Sequence, residues 1–308
     1  MVRFILFTLF ARIAFTRRST AFLLVLLTAT HAHAGAPSCK SVFQIPPASL
    51  PFETEASSLS QLRLREVKWA SPRQVRRMNT ETVTQFGDYK PTLAQEGGRG
   101  AQIEYAQLTK LLDVLKQHPV VGRASSDRYQ QETAEIGYCF GRALYVQLML
   151  LKMGLNSDSI RKVWIVGPMR NPDGANWGFH VATAAYVKGF GWMAIDTNTF
   201  KIQALRHWYS HFYDNSIDGL ARFYVTDANR FTADFSQLSR LQLGLDLPID
   251  KDWYRHYFVH MLESIRQSNI SELGLRSVDR SAGPPETKVQ TKSSGQPWFS
   301  GFRDLVGI

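Results

Sequence analysis

The sequence predicts an α+β fold in which a buried helix packs on an antiparallel sheet, and three observations carry that prediction. Residues 140–153 are rich in Leu, Met and Ala, hold no proline and are followed by Gly154, which marks a helix and its stop. Leu144, Leu148 and Leu151 line one face of it, and Val146, Met149 and Leu150 widen that face until most of the helix is buried. Strand-like segments then follow closely at 163–166, 179–188 and 192–195, with Asn171-Pro172-Asp173-Gly174 and Gly189-Phe190-Gly191 as turns. A helix followed by strands joined through short turns is the signature of an α+β layered domain.

The chain has 308 residues, 44% of them hydrophobic and 20% charged, enough for one sizeable core. Its formal net charge is +10. Four of those charges, Arg3, Arg12, Arg17 and Arg18, lie in an acid-free leader, so the remainder carries about +6. No basic run with interleaved aromatics forms a nucleic-acid groove, and no nucleic-acid partner is expected. There are two cysteines, Cys39 and Cys139, too few for a disulfide framework. A bridge between them would mask the thiol of Cys139.

Taken in order, residues 1–34 read as an export signal: Arg17-Arg18, an apolar run from Ala21 to Leu27, then Ala32-His33-Ala34 as the cleavage site. The run is short of the about 20 residues a spanning helix needs, so no stable membrane insertion is expected after cleavage and the product is exported to the periplasm or beyond; an uncleaved anchor over Phe4 to Leu27 is the alternative. Residues 35–98 read as an N-terminal arm or pro-region, or equally as an irregular part of the main domain's own surface, with an alternating strand pattern at 62–69, and Gly97-Gly98-Arg99-Gly100 marks a break. A catalytic domain is assigned to 99–240. It opens with a helix over 102–117, ended by Pro119, and a polar loop over 125–135. Past the central strands come a short aromatic helix at 204–212 and a strand at 221–226. Residues 241–308 are assigned to a C-terminal helix, at 251–266, and a mobile polar tail.

The chemistry concentrates in Cys139, His180 and Asp196. Cys139 precedes the buried helix, whose unpaired N–H groups and dipole favour a thiolate and face a developing oxyanion. Gly141 leaves room for substrate at the first turn. His180 opens a strand and Asp196 ends the next, where a carboxylate can fix the imidazole tautomer. Each residue alone also fits a structural role, as a buried thiol, a core histidine or a turn acid. Asn176 and Trp177, in a loop before His180, are candidates for lining the cleft, whereas Trp164 and Trp192 fit a core equally well. His207 and His211 are four apart on a helix but lack a third ligand in step, so no metal is expected, and no cofactor either.

Hairpin geometry tests the His180–Asp196 pair. A three-residue turn at 189–191 pairs His180 with Phe200 and Asp196 with Ala184, on one face but four residues apart, roughly 13 Å. That is too far for a hydrogen bond, so a bulge, another turn length or a third element is required.

Together these segments resemble the catalytic domain of the bacterial protein-glutaminases, or protein-glutamine deamidases, relatives of transglutaminases within the papain-like thiol hydrolases. The residues that carry the resemblance are Cys139 with Arg142-Ala143, Met153-Gly154, Trp177-x-x-His180-Val181-Ala182 and Trp192-x-x-Ile195-Asp196, within residues 130–215. The resemblance implies a papain-like or transglutaminase-like core with Cys139 as nucleophile, His180 as base and Asp196 as orienter. It also implies export and a pro-region placed like the arm at 35–98. Two departures stand out: Thr197 follows Asp196 where related hydrolases commonly have proline, and Cys39 is the one cysteine to spare.

The implied reaction is deamidation of glutamine side chains of a protein or peptide substrate to glutamate, through a thioester and with release of ammonia. The same triad serves a transglutaminase if an amine replaces water and a cysteine peptidase if a backbone amide is attacked. A non-enzymatic envelope or adhesion module with Cys139 buried is the alternative from another class.

Overall fold

Two serine caps open the N-terminal part of the fold. In the computed structural model, which describes residues 50–95, 97–98, 100–122, 139–170, 174, 176–234 and 253–278, Ser58 accepts the Gln61 N–H to start α1 (Leu59–Val67). Ser71 and Gln74 form a reciprocal capping box, with Pro72 in the first turn, to start α2 (Pro72–Asp88). The segment expected to be an arm with a strand at 62–69 is therefore helical. Its alternation is accidental: Leu59, Arg63 and Val67 point inward at four-residue steps while Leu64 is 60% exposed. On α2 the inward positions are Val75, Asn79, Val83 and Phe86. The buried polar Asn79 interrupts an apolar stripe that would otherwise announce the helix.

After a short α3 (Thr92–Gln95) come α4 (Tyr105–Gln117), then α5 (Cys139–Lys152), buried along nearly its whole length. A 3-10 turn (Ser157–Ser159) leads into β1 (Ile160–Arg170), β2 (Asn176–Val187), β3 (Gly191–Asp196) and β4 (Lys201–Ala204). Then follow α6 (Leu205–Tyr213), β5 (Arg222–Asp227) and α7 (Trp253–Gln267). The strands form one antiparallel sheet in the order β4-β3-β2-β1-β5. The architecture is α+β. The strand β4 carries no alternation a sequence pattern would detect, being four residues at the sheet's edge.

Both faces of the sheet are covered. On one, Trp164, Val166, Val181 and Ile195 meet α4, α5 and α7, the last through Tyr257, Phe258, Met261, Leu262 and Ile265. On the other, Val163, Ile165, Ala182 and Ala194 meet α2 and α6 through Val75, Val83, Phe86, Trp208 and Phe212. Residues 50–95 and α7, assigned from sequence to an arm and a C-terminal segment, thus supply core residues on opposite faces. Burying aliphatic and aromatic side chains of this size stabilises a fold by about 1.5–3 kcal/mol each, so both segments are bound in tightly. The expected leader over 1–34, Cys39, the loop at 125–135 and the tail lie outside the described residues.

Candidate active site

The nucleophile candidate begins a helix that is pinned from two sides. Cys139 is the first residue of α5 and is 5% exposed. First-turn N–H groups of a helix have no intrahelical acceptor, so they are available to an anion beside the sulfur. From the sheet, Thr183 Oγ1 on β2 donates to the Ala143 carbonyl at 2.6 Å. From the other side, Phe140 meets Phe231 edge-on with ring centres 5.3 Å apart and lies 6.0 Å from Phe258 of α7. Gly141 is packed closely. A Cβ there would lie 2.5 Å from Cε1 of Tyr257, so its missing side chain makes room for α7.

His180 and Asp196 come from neighbouring strands. The β2–β3 ladder pairs Val187 with Gly191 and Thr183 with Ile195, so the turn is 188–190, one residue earlier than the glycines implied. Carried one step further, this register sets Asp196 across from Ala182, two residues from His180 and on the same face. Such diagonal neighbours lie about 7–8 Å apart, within reach of an imidazole and a carboxylate. His180 Nε2 and Asp196 Oδ2 meet at 2.5 Å without a bulge or an intervening element in the ladder. The gap of four strand positions expected from the sequence was an error of turn placement.

Asp196 is fully buried and saturated with donors. Its Oδ2 also accepts the indole N–H of Trp208 at 2.9 Å. Its Oδ1 accepts the backbone N–H of Asn198 at 3.0 Å, that of Thr199 at 2.8 Å and the Thr199 hydroxyl at 3.0 Å. Burial by itself raises a carboxyl pKa, but the charge and hydrogen bond of His180, with the bonds from Thr199 and Trp208, hold Asp196 down at about 2. For His180 burial works against the charged ring, yet the carboxylate and hydrogen bond of Asp196, joined by Cys139, raise it to about 9. The ring is walled by aromatics: Phe212 stacks with centres 4.1 Å apart, and Trp177 and Trp208 each at 5.8 Å. Facing aromatic rings favour a cation in that space.

Cys139 is close enough to His180 to help raise its pKa. With Nε2 engaged by Asp196, Nδ1 is the nitrogen left for sulfur. His180 lies on the α6 side of the sheet and α5 on the other. The β2–β3 ladder begins only at Thr183, so the stretch of β2 around His180 has no β3 neighbour.

The other sequence candidates are distributed around this centre. Trp177 is half-buried against His180. Asn176 is exposed at the start of β2, where its Oδ1 accepts from Arg170 Nε at 3.1 Å. Trp164 and Trp192 are core residues whose indoles donate to Thr226 Oγ1 and the Tyr89 carbonyl, both at 2.9 Å. His207 and His211 are exposed on α6, and among the described residues no group of three His, Cys, Asp or Glu is arranged to hold a metal. Sequence reasoning missed Trp208, Phe212, Asn198 and Thr199. The signal for the first two was present: aromatics at 208, 209, 212 and 213 mark one face of α6, which had to pack on something aromatic or charged.

The sequence matches no protein-family model and no curated protein. Among solved structures it is similar to the NMR structure of protein-glutaminase from Chryseobacterium proteolyticum, at 17% identity over 42% of this chain and 75% of that one, with a TM-score of 0.33. It is also similar to a crystal structure of protein-glutaminase, at 14% identity over 59% and 92% of the two chains, TM-score 0.34. A crystal structure of pro-protein-glutaminase matches at 16% identity over 68% and 73%, TM-score 0.36. Likeness at this level transfers neither activity nor residue roles, which rest on the geometry of Cys139, His180 and Asp196.

Proposed function

We propose that this protein is a thiol amidohydrolase that deamidates glutamine side chains of protein or peptide substrates, with Cys139, His180 and Asp196 as its triad on a papain-like or transglutaminase-like core. The observation that carries the reading is the buried imidazole held between a fully hydrogen-bonded carboxylate and a cysteine at a helix amino end. Choice of the glutamine carboxamide rests on the resemblance of the Cys139, His180 and Asp196 segments to protein-glutaminases.

In this mechanism the Cys139 thiolate attacks the carboxamide carbon and the C–O π electrons move to oxygen, facing the first-turn N–H groups of α5. The imidazolium gives its Nδ1 proton to the departing nitrogen. The C–N bond breaks, ammonia leaves and a thioester remains. Neutral His180 then takes a proton from water, hydroxide oxygen adds to the thioester carbon, and the C–S bond breaks to yield glutamate and thiolate. Asp196 stays ionised throughout and fixes Nε2–H, which leaves Nδ1 free to give and take the proton. Asn176 and Trp177 line the approach for the substrate chain. Export to the periplasm or outside the cell belongs to the same proposal.

Incubation with a glutamine-containing protein is expected to release ammonia and convert glutamine to glutamate, with both signals lost in Cys139→Ala. Amine incorporation or chain cleavage in the same assay would redirect the reading to a transglutaminase or a peptidase, and absence of all three with a range of protein substrates would overturn it.

A further inference from the structure

Arg142 stands one helical turn from Cys139, on the same side of α5. Its side chain is buried, 8% exposed, and among the described residues it has no ion-pair partner. Among the described residues Nη1 donates to Asn198 Oδ1 at 3.0 Å, while Nε has no hydrogen-bond partner. A buried guanidinium depends on its hydrogen bonds to offset the cost of desolvation. Asn198 is the residue whose backbone N–H binds Asp196 Oδ1 at 3.0 Å. It lies in the turn between β3 and β4, which contains Phe200 at φ 50 and begins where the β2–β3 ladder has already stopped. The turn that follows Asp196 is therefore tied to the first turn of α5 by the Arg142–Asn198 hydrogen bond.

We infer that Arg142 and Asn198 are a positioning pair, which ties the Asp196 turn to the first turn of α5 and so sets the reach between Cys139 and the His180 held by Asp196. The inference rests on the triad reading above. Neither residue touches the reacting atoms. Their effect is transmitted as the angle and distance at which the carboxylate holds the ring.

The test uses the full chain and needs no substrate. The ring nitrogens of His180, assigned by their loss in His180→Ala, are titrated by NMR, and Cys139 is alkylated with iodoacetamide at pH 7. Arg142→Ala and Asn198→Ala are each expected to lower the His180 midpoint by about one pH unit and to slow alkylation roughly tenfold. The double variant should go no further than either single, because both remove the same bond. Asn198→Asp, which keeps the acceptor, should retain the parental values in the presence of Arg142 and lose them in its absence. If Arg142→Ala fails to fold, the half-buried Asn198 still supplies the comparison. His180→Ala slowing alkylation while folded Arg142→Ala and Asn198→Ala change nothing would overturn the positioning role alone. Unchanged alkylation in His180→Ala would remove the triad reading and this inference with it. Ammonia release plays no part in the readout, so failure of the glutamine assignment is seen separately.

Discussion

Trp208 donates its indole N–H to the same oxygen of Asp196 that holds His180, at 2.9 Å. The helix α6 thus acts on the acid by hydrogen bond and on the base by stacking. Trp208→Phe keeps most of the apolar volume and deletes the donor. It is expected to cost about 1.5–3 kcal/mol in urea unfolding, as for a hydrogen bond to a charged group. Turnover should fall with little change in KM, since the substrate-facing groups remain.

The His180–Asp196 pair makes stability depend on pH in a defined window. His180 is raised from 6.5 to about 9, so its contribution is complete below pH 6.5 and is lost as pH rises through 9. Asp196 is lowered from 3.8 to about 2, so its contribution is complete above pH 3.8 and is lost as pH falls through 2. Asp196→Asn should therefore be most destabilising, relative to the parent, between about pH 4 and 6.5, with a difference that shrinks towards pH 9. Activity should fall by about four orders of magnitude, because the amide does not hold the required tautomer.

His118 should act with the opposite sign. Its Nδ1 accepts the N–H groups of Val120 and Val121 at 3.1 and 3.2 Å, and Nε2 lies 2.5 Å from Ser264 Oγ on α7. Burial lowers its pKa from 6.5 to about 4. The neutral ring stabilises the fold fully above pH 6.5, and this is lost as pH falls through 4. Urea midpoints measured from pH 7 to pH 4 should drop in the parent and flatten in His118→Ala.

Asn79 tests how firmly residues 50–95 belong to the fold. Its Nδ2 donates to the Ala221 carbonyl at 2.8 Å, and its Oδ1 accepts from Phe223 N at 2.9 Å and from Arg222. Asn79→Ala leaves several buried groups unpaired and is expected to cost about 2–4 kcal/mol. Unfolding should remain a single transition, because α2 covers the sheet rather than forming a separable arm.

The central elements were legible in the sequence because each announces itself locally. Residues 140–153 carry an apolar surface with a glycine stop, and the helix runs over Cys139–Lys152. The strands at 179–188 and 192–195 correspond to β2 and β3. What was not legible depends on pairing. The helices of residues 50–95 show few apolar positions because Arg63 and Asn79 take inward places and find partners in the distant segments at 218–223. The separation of His180 and Asp196 turned on whether Gly189 or Lys188 begins the turn, a difference of one residue that doubles the offset along the strands.

Thr183 and His180 are three positions apart on β2 and so lie on opposite faces. One holds the Ala143 carbonyl of the cysteine's helix, the other the acid at the end of β3. This strand is a common datum for Cys139 and His180, and a slip of one residue would exchange the two faces. The imidazole would enter the layer beneath α5 and the threonine hydroxyl the layer beneath α6. No half-correct pairing yields a half-competent site. During refolding, Cys139 should gain its His180-dependent reactivity in one kinetic step, together with completion of the β2–β3 hairpin, and not in proportion to helix content.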